Sequence, residues 1–387
     1  MAELLPHADW TAREDLTILT DTLGSDNARY VGGAVRDTLL GLPVKDIDMA
    51  TPLLPTAVIE RLDRAGIRSV PTGIEHGTVT AVLSGGPVEI TTLRHDVSTD
   101  GRRATVAFAS DWREDAARRD FTINALYADP STLEVSDWFG GLADLAARRV
   151  RFIGDARQRI REDHLRILRY FRFQARFGSR PADDEAESAC AELASTLKGL
   201  SRERIGMEMM NLLGLPDPAP TISRMAELGV TAQVLPEAHP EMLETLVEHE
   251  RAQAVAPDPL RRLAALLPPD PALAEQVASR FRLSTAQKKR LANAAARQGP
   301  PGEARALAYH LGRSEALDRL LIAGADVTPL QSWQVPRFPL KGGEIVARGI
   351  NAGPEVARTL RALENRWVTE GFPDRARVLE MLEEVLT

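Results

Sequence analysis

Cysteine is almost absent. The single Cys190 excludes an internal disulfide and a cysteine-rich zinc site. Long apolar runs are missing too: no stretch approaches the roughly 18 apolar residues of a membrane span. The opening MAELLPHADWTARED lacks the charged-then-apolar pattern of a secretory signal. No G-K-[ST] follows a glycine turn, so the chain carries no P-loop. The C-terminal half shows no metal-dependent phosphohydrolase motif. His239, His249 and His310 are scattered in helical segments and read as surface or core residues, not ligands. No internal repeat or low-complexity tract interrupts the 387 residues. These absences predict a cytoplasmic protein without membrane partners and without a second activity. Its length suffices for two or more domains with substantial cores.

Net charge is −7, which by itself argues against a nucleic-acid partner. Its distribution argues the other way. Residues 148–180 hold eleven Arg, no Lys and three acids, a local excess of +8. Arginine favours bidentate contact with phosphates and base edges, so the run points to a nucleotide or RNA. A solvated helix face is the bland alternative.

The densest signal lies in residues 30–51, YVGGAVRDTLLGLPVKDIDMAT. It reads as strand, glycine turn, short helix, turn and strand. Gly32 and Gly33 let backbone N–H groups at a helix start approach a phosphate. Gly41 stops the helix. Asp46 and Asp48 are two apart on a strand and share a face, with Ile47 turned into the core. Paired carboxylates repel and favour a cation between them; their hard oxygens suit Mg2+. A phosphate cradle beside a metal site implies chemistry on a nucleoside triphosphate.

Taken in order, residues 1–27 read as a packing helix with Leu16, Leu19 and Leu23 at helical spacing. Residues 53–66 read as another helix. Thr78–Leu83 and Val88–Leu93 read as strands around Ser84-Gly85-Gly86-Pro87. In the second strand Glu89 and Thr91 face away from Val88 and Ile90, which makes Glu89 a third catalytic carboxylate or an exposed strand residue. Residues 94–104 read as a polar, basic loop, and its His95-Asp96 as no metal site. Arg118-Arg119-Asp120 precedes an apolar pattern, Phe121, Ile123 and Leu126, read as helical. Arg119 suits a triphosphate, and Asp120 a helix cap or a ribose. A short strand near Val135 precedes Gly140-Gly141, where the α/β portion ends. Everything beyond reads as helix, with proline-rich joints at 216–220, 268–271 and 300–301. The clearest helix is 161–177, where Asp163, Arg166, Arg169, Arg172 and Arg176 line one face beside the apolar Ile167, Leu168 and Phe171.

Nucleotidyl transfer needs carboxylates for metal and cations for phosphates. Asp46, Asp48 and Glu89 fit the first need; Gly33, Arg36 and Arg119 fit the second. A lone D-x-D is weak, but G-G-x-V-R-D followed closely by D-x-D is strong.

The segments GGAVRD with DID, RRDFTINAL, EDHLRILRYFRF and SRERIGME, with LKGGEIVARGINAGPEV near the end, resemble the class II tRNA nucleotidyltransferases, the family of CCA-adding enzymes and bacterial poly(A) polymerases. The resemblance spans most of the chain. It implies an α+β protein: an N-terminal polymerase-β-like α/β head with a mixed sheet over 1–140, then a helical neck (141–214), body (215–300) and tail (301–387). It implies Mg2+ on Asp46 and Asp48, nucleotide contacts from Gly33 and Arg36, and triphosphate and ribose contacts from Arg119 and Asp120. Asp163, Arg166, Arg169 and Arg172 would form the nucleotide-selecting helix. Partners would be ATP, CTP and the tRNA 3′ end. Asp accepts and Arg donates, matching the amino group and ring nitrogen that cytosine and adenine share. Uracil and guanine present the reverse polarity, leaving buried polar groups unpaired at roughly 1–3 kcal/mol each. An ordinary intrahelical salt bridge, about 0.2–0.5 kcal/mol, is the alternative for the Asp163/Arg166 pair. The resemblance thus implies C, C and A addition without a nucleic-acid template. Poly(A) polymerase or A-only addition is the rival within the family, although VPTGIEHGTVTAV lacks the Arg-rich pattern of bacterial poly(A) polymerases. A non-catalytic RNA-binding protein is the rival outside it, opposed by the intact Asp46 and Asp48.

Overall fold

The computed structural model describes residues 3–100, 103–109, 111–297, 304–350 and 352–386; of these, the side chains of 95–107 and 386 are left aside. The chain divides into two compact units. The first comprises residues 1–208 with 224–234; the second comprises 209–223 with 235–387.

All strands of the first unit lie between Arg29 and Asp137 among the described residues. In chain order its elements are α1 (Glu14–Leu23), β1 (Arg29–Val31), α2 (Gly33–Leu39), β2 (Ile47–Thr51), α3 (Pro55–Arg64), β3 (Ser69–Gly73), β4 (Thr78–Leu83) and β5 (Gly86–Thr92). There follow β6 (Arg94–Asp100), β7 (Arg103–Phe108), α4 (Trp112–Ala117), β8 (Leu126–Ala128), β9 (Val135–Asp137), α5 (Gly141–Ala146), α6 (Ala156–Glu162), α7 (Arg166–Phe177) and α8 (Asp184–Leu193). Seven strands form one sheet in the order β3-β4-β5-β2-β1-β8-β9. Only β2 and β5 run parallel, so the sheet is mixed, as expected.

Alternation assigns the two faces. Ile47, Met49, Val79, Ala81, Val88 and Ile90 are buried on one, as are Leu16, Leu19 and Leu23 of α1 and Val58 and Leu62 of α3. The opposite face carries Asp48 and Glu89. Part of it is closed by a second cluster of Val31, Ala50, Leu93, Ala116, Tyr127 and Ile153, flanked by Trp112 and Trp138.

Three local readings are corrected. Residues 94–104 are not a loop: β6 and β7 form an antiparallel hairpin with Asp100 opposite Arg103. Gly101, Arg102 and the His95-Asp96 side chains lie outside the description, as does Pro300-Pro301. Phe121, Ile123 and Leu126 do not lie on one helix; a 3-10 turn (Thr122–Asn124) leads into β8. Residues 161–177 are not one helix either. Asp163 adopts an extended conformation (φ −149°, ψ 105°) that ends α6. Its Oδ1 accepts from Leu165 N at 3.1 Å, starting a new turn in the way short acidic side chains cap helices.

The second unit is helical throughout its described residues. Its C-terminal portion packs Ile345, Leu363, Trp367, Val378, Met381 and Leu382 into a core. Its other notable feature is charge inside. Glu250, Arg261, Arg262 and Asp318 are all at most 2% exposed. Glu250 accepts from Arg261 Nε and Arg262 Nε, each at 2.8 Å, and Arg290 donates to both oxygens of Asp318. His249 is accounted for as a packing residue, its Nδ1 lying 3.0 Å from the Leu321 carbonyl.

Candidate active site

The site is built where β1 turns into α2 beside β2. Gly32 has φ +68°, a left-handed backbone that favours glycine. A Cβ there would lie 3.4 Å from Arg119 Nη1, and one at Gly33 would lie 3.7 Å from Arg36 Nη2. Two guanidinium groups therefore face the two glycines. Gly41, φ +65°, follows the last turn of α2 as expected.

Each guanidinium is fixed. Arg36 is 5% exposed. It donates to Asp37 Oδ1 at 2.8 Å and to Asn124 Oδ1 at 2.5 Å, and lies 4.1 Å over the Phe177 ring. Burial lowers its pKa against the raising effect of Asp37. Arg119 donates to the Tyr127 hydroxyl at 3.0 Å and to Asp115 Oδ2 at 3.3 Å. Asp115 is itself buried; the charges of Arg119 and Arg118 and a hydrogen bond from Tyr127 outweigh its desolvation and lower its pKa.

The carboxylates are arranged differently. Parallel pairing sets Asp48 directly opposite Glu89, so both project from one face. Asp48 is half-buried, while Asp46 and Glu89 are exposed. Among the described residues none of the three forms an ion pair or a side-chain hydrogen bond. Burial, then Glu89 and Asp46, raise the Asp48 pKa to about 6 against the lowering charge of Arg119. Carboxylates crowded without a protein cation are what a hard divalent ion neutralises, so the donor set fits Mg2+. Mg2+ keeps several waters and takes one or two carboxylates plus phosphate oxygens, so two such carboxylates suffice for it.

Asp120 is buried. Its Oδ1 accepts from Phe121 N and Asn124 Nδ2, both at 2.9 Å, and its Oδ2 accepts from Arg169 Nε at 2.8 Å and Nη2 at 2.5 Å. It thus holds the turn after Arg119 and anchors α7. Arg172 donates to Glu208 at 2.6 Å, and Arg176 to Asp37 at 3.2 Å. A continuous polar chain results, running Arg176, Asp37, Arg36, Asn124, Asp120 and Arg169, then Glu208 and Arg172.

Asp163 and Arg166 do not share a helix face, which corrects the spacing argument. Asp163 Oδ2 accepts from Arg204 Nη2 at 2.7 Å. Arg166 opens α7 and donates to Glu162 Oε2, Arg159 O and Arg118 O. These contacts occupy three of its five N–H donors and fix its direction, leaving two. The structure brings Gly33, Arg36, Asp46, Asp48, Glu89 and Arg119 to one end of the sheet. It ties Asp120 to Arg169, and separates Asp163 from Arg166 into two tethered groups.

Sequence reasoning missed Asn124, Asp115, Tyr127 and Glu208, which touch the site only through other residues. The Asp115, Arg118, Arg119 spacing of three and four in a helical segment was a readable signal for one of them.

Residues 28–151 match the family described as the poly A polymerase head domain, and residues 183–242 match one described as a probable RNA and SrmB-binding site of polymerase A. The mitochondrial CCA tRNA nucleotidyltransferase 1 of Mus musculus is 36% identical over 381 residues, 93% of this chain and 87% of that protein. The CCA-adding enzyme of Geobacillus stearothermophilus is 39% identical over 208 residues, 53% of this chain and 50% of that protein. Among solved structures, the Bacillus stearothermophilus CCA-adding enzyme in complex with CTP aligns with a TM-score of 0.74 at 26% identity, covering 96% of each chain. The Thermotoga maritima CCA-adding enzyme complexed with tRNA_CCA shares the fold at a TM-score of 0.69 and 20% identity, covering 97% of this chain and 99% of that one.

Proposed function

This chain belongs to the family of CCA tRNA nucleotidyltransferases, and from that premise we propose that it adds C, C and then A to tRNA 3′ ends, using CTP and ATP and no nucleic-acid template. The observation that carries the reading is the pairing of Asp48 with Glu89 beside Gly32, Gly33 and two fixed arginines.

Mg2+ held by Asp46 and Asp48 would stabilise the attacking and leaving oxygens. Arg119, held by Tyr127 and Asp115, meets the triphosphate without reorganising, the condition under which a fixed charge is most effective. Gly33 admits the phosphates, and Arg36 braces the turn from below. Glu89 orients the attacking end beside Asp48. Asp120 holds the following turn, and because Phe121, Asn124 and Arg169 fill its four lone-pair sites, a ribose contact there would displace one of those donors. Arg166 reads the base edge with its two remaining N–H groups. Asp163, braced by Arg204, supplies the acceptor, and Arg169 and Arg172 hold the helix in register through Asp120 and Glu208. Head, neck, body and tail at 1–140, 141–214, 215–300 and 301–387 are the accompanying domain reading.

No described helix is long and apolar enough to cross a membrane. A reducing compartment suits the lone buried Cys190. The cytoplasm is the proposed location, and the mouse relative, mitochondrial by name, makes the mitochondrion the alternative that fractionation decides.

The test is purified protein with Mg2+, each labelled nucleotide, and tRNA ending before the first C, between the two, and after the second. Stepwise C, C and A addition is expected. ATP uptake onto tRNA ending in CC, with no CTP uptake onto shorter ends, overturns CCA addition in favour of A-only addition. Long A tracts on generic RNA support the poly(A) rival.

A further inference from the structure

The sheet order divides the Asp48 face into two flanks. On one side of β2 lie β1 and β8, with Gly32 after β1 and Tyr127 of β8 holding Arg119. On the other side lie β5, β4 and β3. The triphosphate cations occupy the first flank. In-line displacement places the attacking hydroxyl opposite the leaving group, so the attacking strand crosses the second flank.

That flank has a defined surface. Register pairing sets Asp48 opposite Glu89, Glu89 opposite Thr80, and Thr80 opposite Val70, so the four form one row on one face. Adjacent strands are spaced about 5 Å apart, which puts Thr80 on a strand about 10 Å from that of Asp48. The Thr80 hydroxyl lies 2.8 Å from the Thr72 hydroxyl. Thr72 is exposed, Thr80 beneath it is only 8% exposed, and Val70 and Val82 beside the pair are 37% and 41% exposed. On the β1 flank the same face runs under Trp112, Trp138 and Tyr127. The accessible ground next to the carboxylates is therefore the Thr72 hydroxyl, braced by the buried Thr80 and edged by two valines.

We propose that the Thr72 hydroxyl, positioned by Thr80, binds a 2′-hydroxyl within the last two nucleotides of the attacking RNA strand. The inference rests on the nucleotidyltransferase reading above and adds to it a contact that recognises ribose. A hydroxyl pair joined by one hydrogen bond keeps a donor and spare acceptor lone pairs. A 2′-hydroxyl is also donor and acceptor, and is the group that distinguishes RNA from DNA at a given position. Mutual pairing fixes both threonines before the strand arrives, and the exposed valines offer the sugar and base an apolar edge.

The experiment measures kcat/KM for CTP addition to acceptors that are all-ribose, or carry one 2′-deoxy sugar at the last or penultimate position. The wild type is expected to lose roughly three- to tenfold on one of the two deoxy acceptors, the value of one hydrogen bond. Thr80→Val and Thr72→Val keep the β-branched shape. Each should lose activity on the all-ribose acceptor and show no further loss on the deoxy one, with KM for CTP unchanged. Thr91→Val, on the same face but away from this row, should keep the wild-type discrimination. Indifference of the wild type to both deoxy substitutions overturns the inference, as does full discrimination in both Thr80→Val and Thr72→Val. Failure of the wild type to extend even the all-ribose acceptor overturns the nucleotidyltransferase reading itself, a separate outcome.

Discussion

Two groups of carboxylates, one in each unit, meet the same physical problem with opposite solutions. In the second unit Glu250 is buried but shared by Arg261 and Arg262, and Asp318 is gripped by Arg290. In the first unit Asp48 is half-buried beside Glu89 and Asp46, and its carboxylate is left without a paired cation among the described residues. Burial without a partner costs free energy, so such an arrangement persists only where something else supplies the charge. The compensated cluster is architecture; the uncompensated one is the proposed seat for a metal ion and its phosphates.

The largest effect that sharpens this contrast belongs to the seat. Asp48→Ala should lower nucleotide incorporation by about 10³-fold, the scale of losing a main transition-state stabiliser, while tRNA retention on a filter stays near wild type. Retained turnover sinks the metal assignment. Next comes the compensated cluster. Glu250→Ala strands Arg261 and Arg262 without their carboxylate and should reduce stability by about 3–5 kcal/mol in urea unfolding. Incorporation by the molecules still folded should be unchanged. If Glu250→Ala instead removes activity at full stability, the division between the two clusters is wrong.

A smaller effect concerns base choice. Arg166→Ala should raise UTP and GTP misincorporation by about tenfold, the equivalent of one mismatched polar contact. Unchanged discrimination removes Arg166 from base reading. The smallest effect concerns pH. Asp48 binds its proton more tightly folded than unfolded, its pKa rising from 3.8 to about 6. Its ionisation therefore costs stability in metal-free protein, fully above about 6 and not at all below 3.8. Asp48→Asn should stabilise the metal-free protein modestly at pH 7 and leave it unchanged near pH 3.5, as followed by thermal unfolding. Asp120 is the opposite case: Arg169 and Asn124 hold its pKa below the ordinary carboxylate value. Its stabilising contribution is present above about 4 and is lost as pH falls further. Asp120→Asn should thus destabilise at pH 7, with the deficit shrinking in acid.

Much of the head was legible because its signals are local. Two-residue alternation sets the faces of β4 and β5, and glycines at required backbone angles mark the turns. The pairing of Glu89 with Asp48 was only half legible. Alternation says which way Glu89 points, but the strand that lies beside it is a tertiary fact. The helical reading of 121–126 failed because three apolar residues at mixed spacing satisfy either period. The unbroken helix over 161–177 failed because an aspartate that leaves the helical backbone and ends α6 looks equally acceptable inside a helix.

The arginine run over 148–180 illustrates the limit best. Read along the chain it is a cationic patch of +8. Folded, at least eight of its eleven arginines pair with carboxylates. Five of the partner residues, Asp37, Asp120, Asp144, Glu192 and Glu208, lie outside the run. Charge that looks available to a ligand is largely committed to holding α6 and α7 to their neighbours. No windowed count along a sequence includes those partners.

The register of β5 has one further consequence. A slip by a single residue would turn Glu89 inward and present Val88 to the solvent. It would bury a carboxylate in the apolar layer and remove it from Asp48 in the same event. Misassembled molecules are thereby penalised twice, by the core and by the chemistry, through one structural error. Native yield and this pairing then become linked quantities: a chain stable enough to survive cellular proteolysis has already set Glu89 beside Asp48.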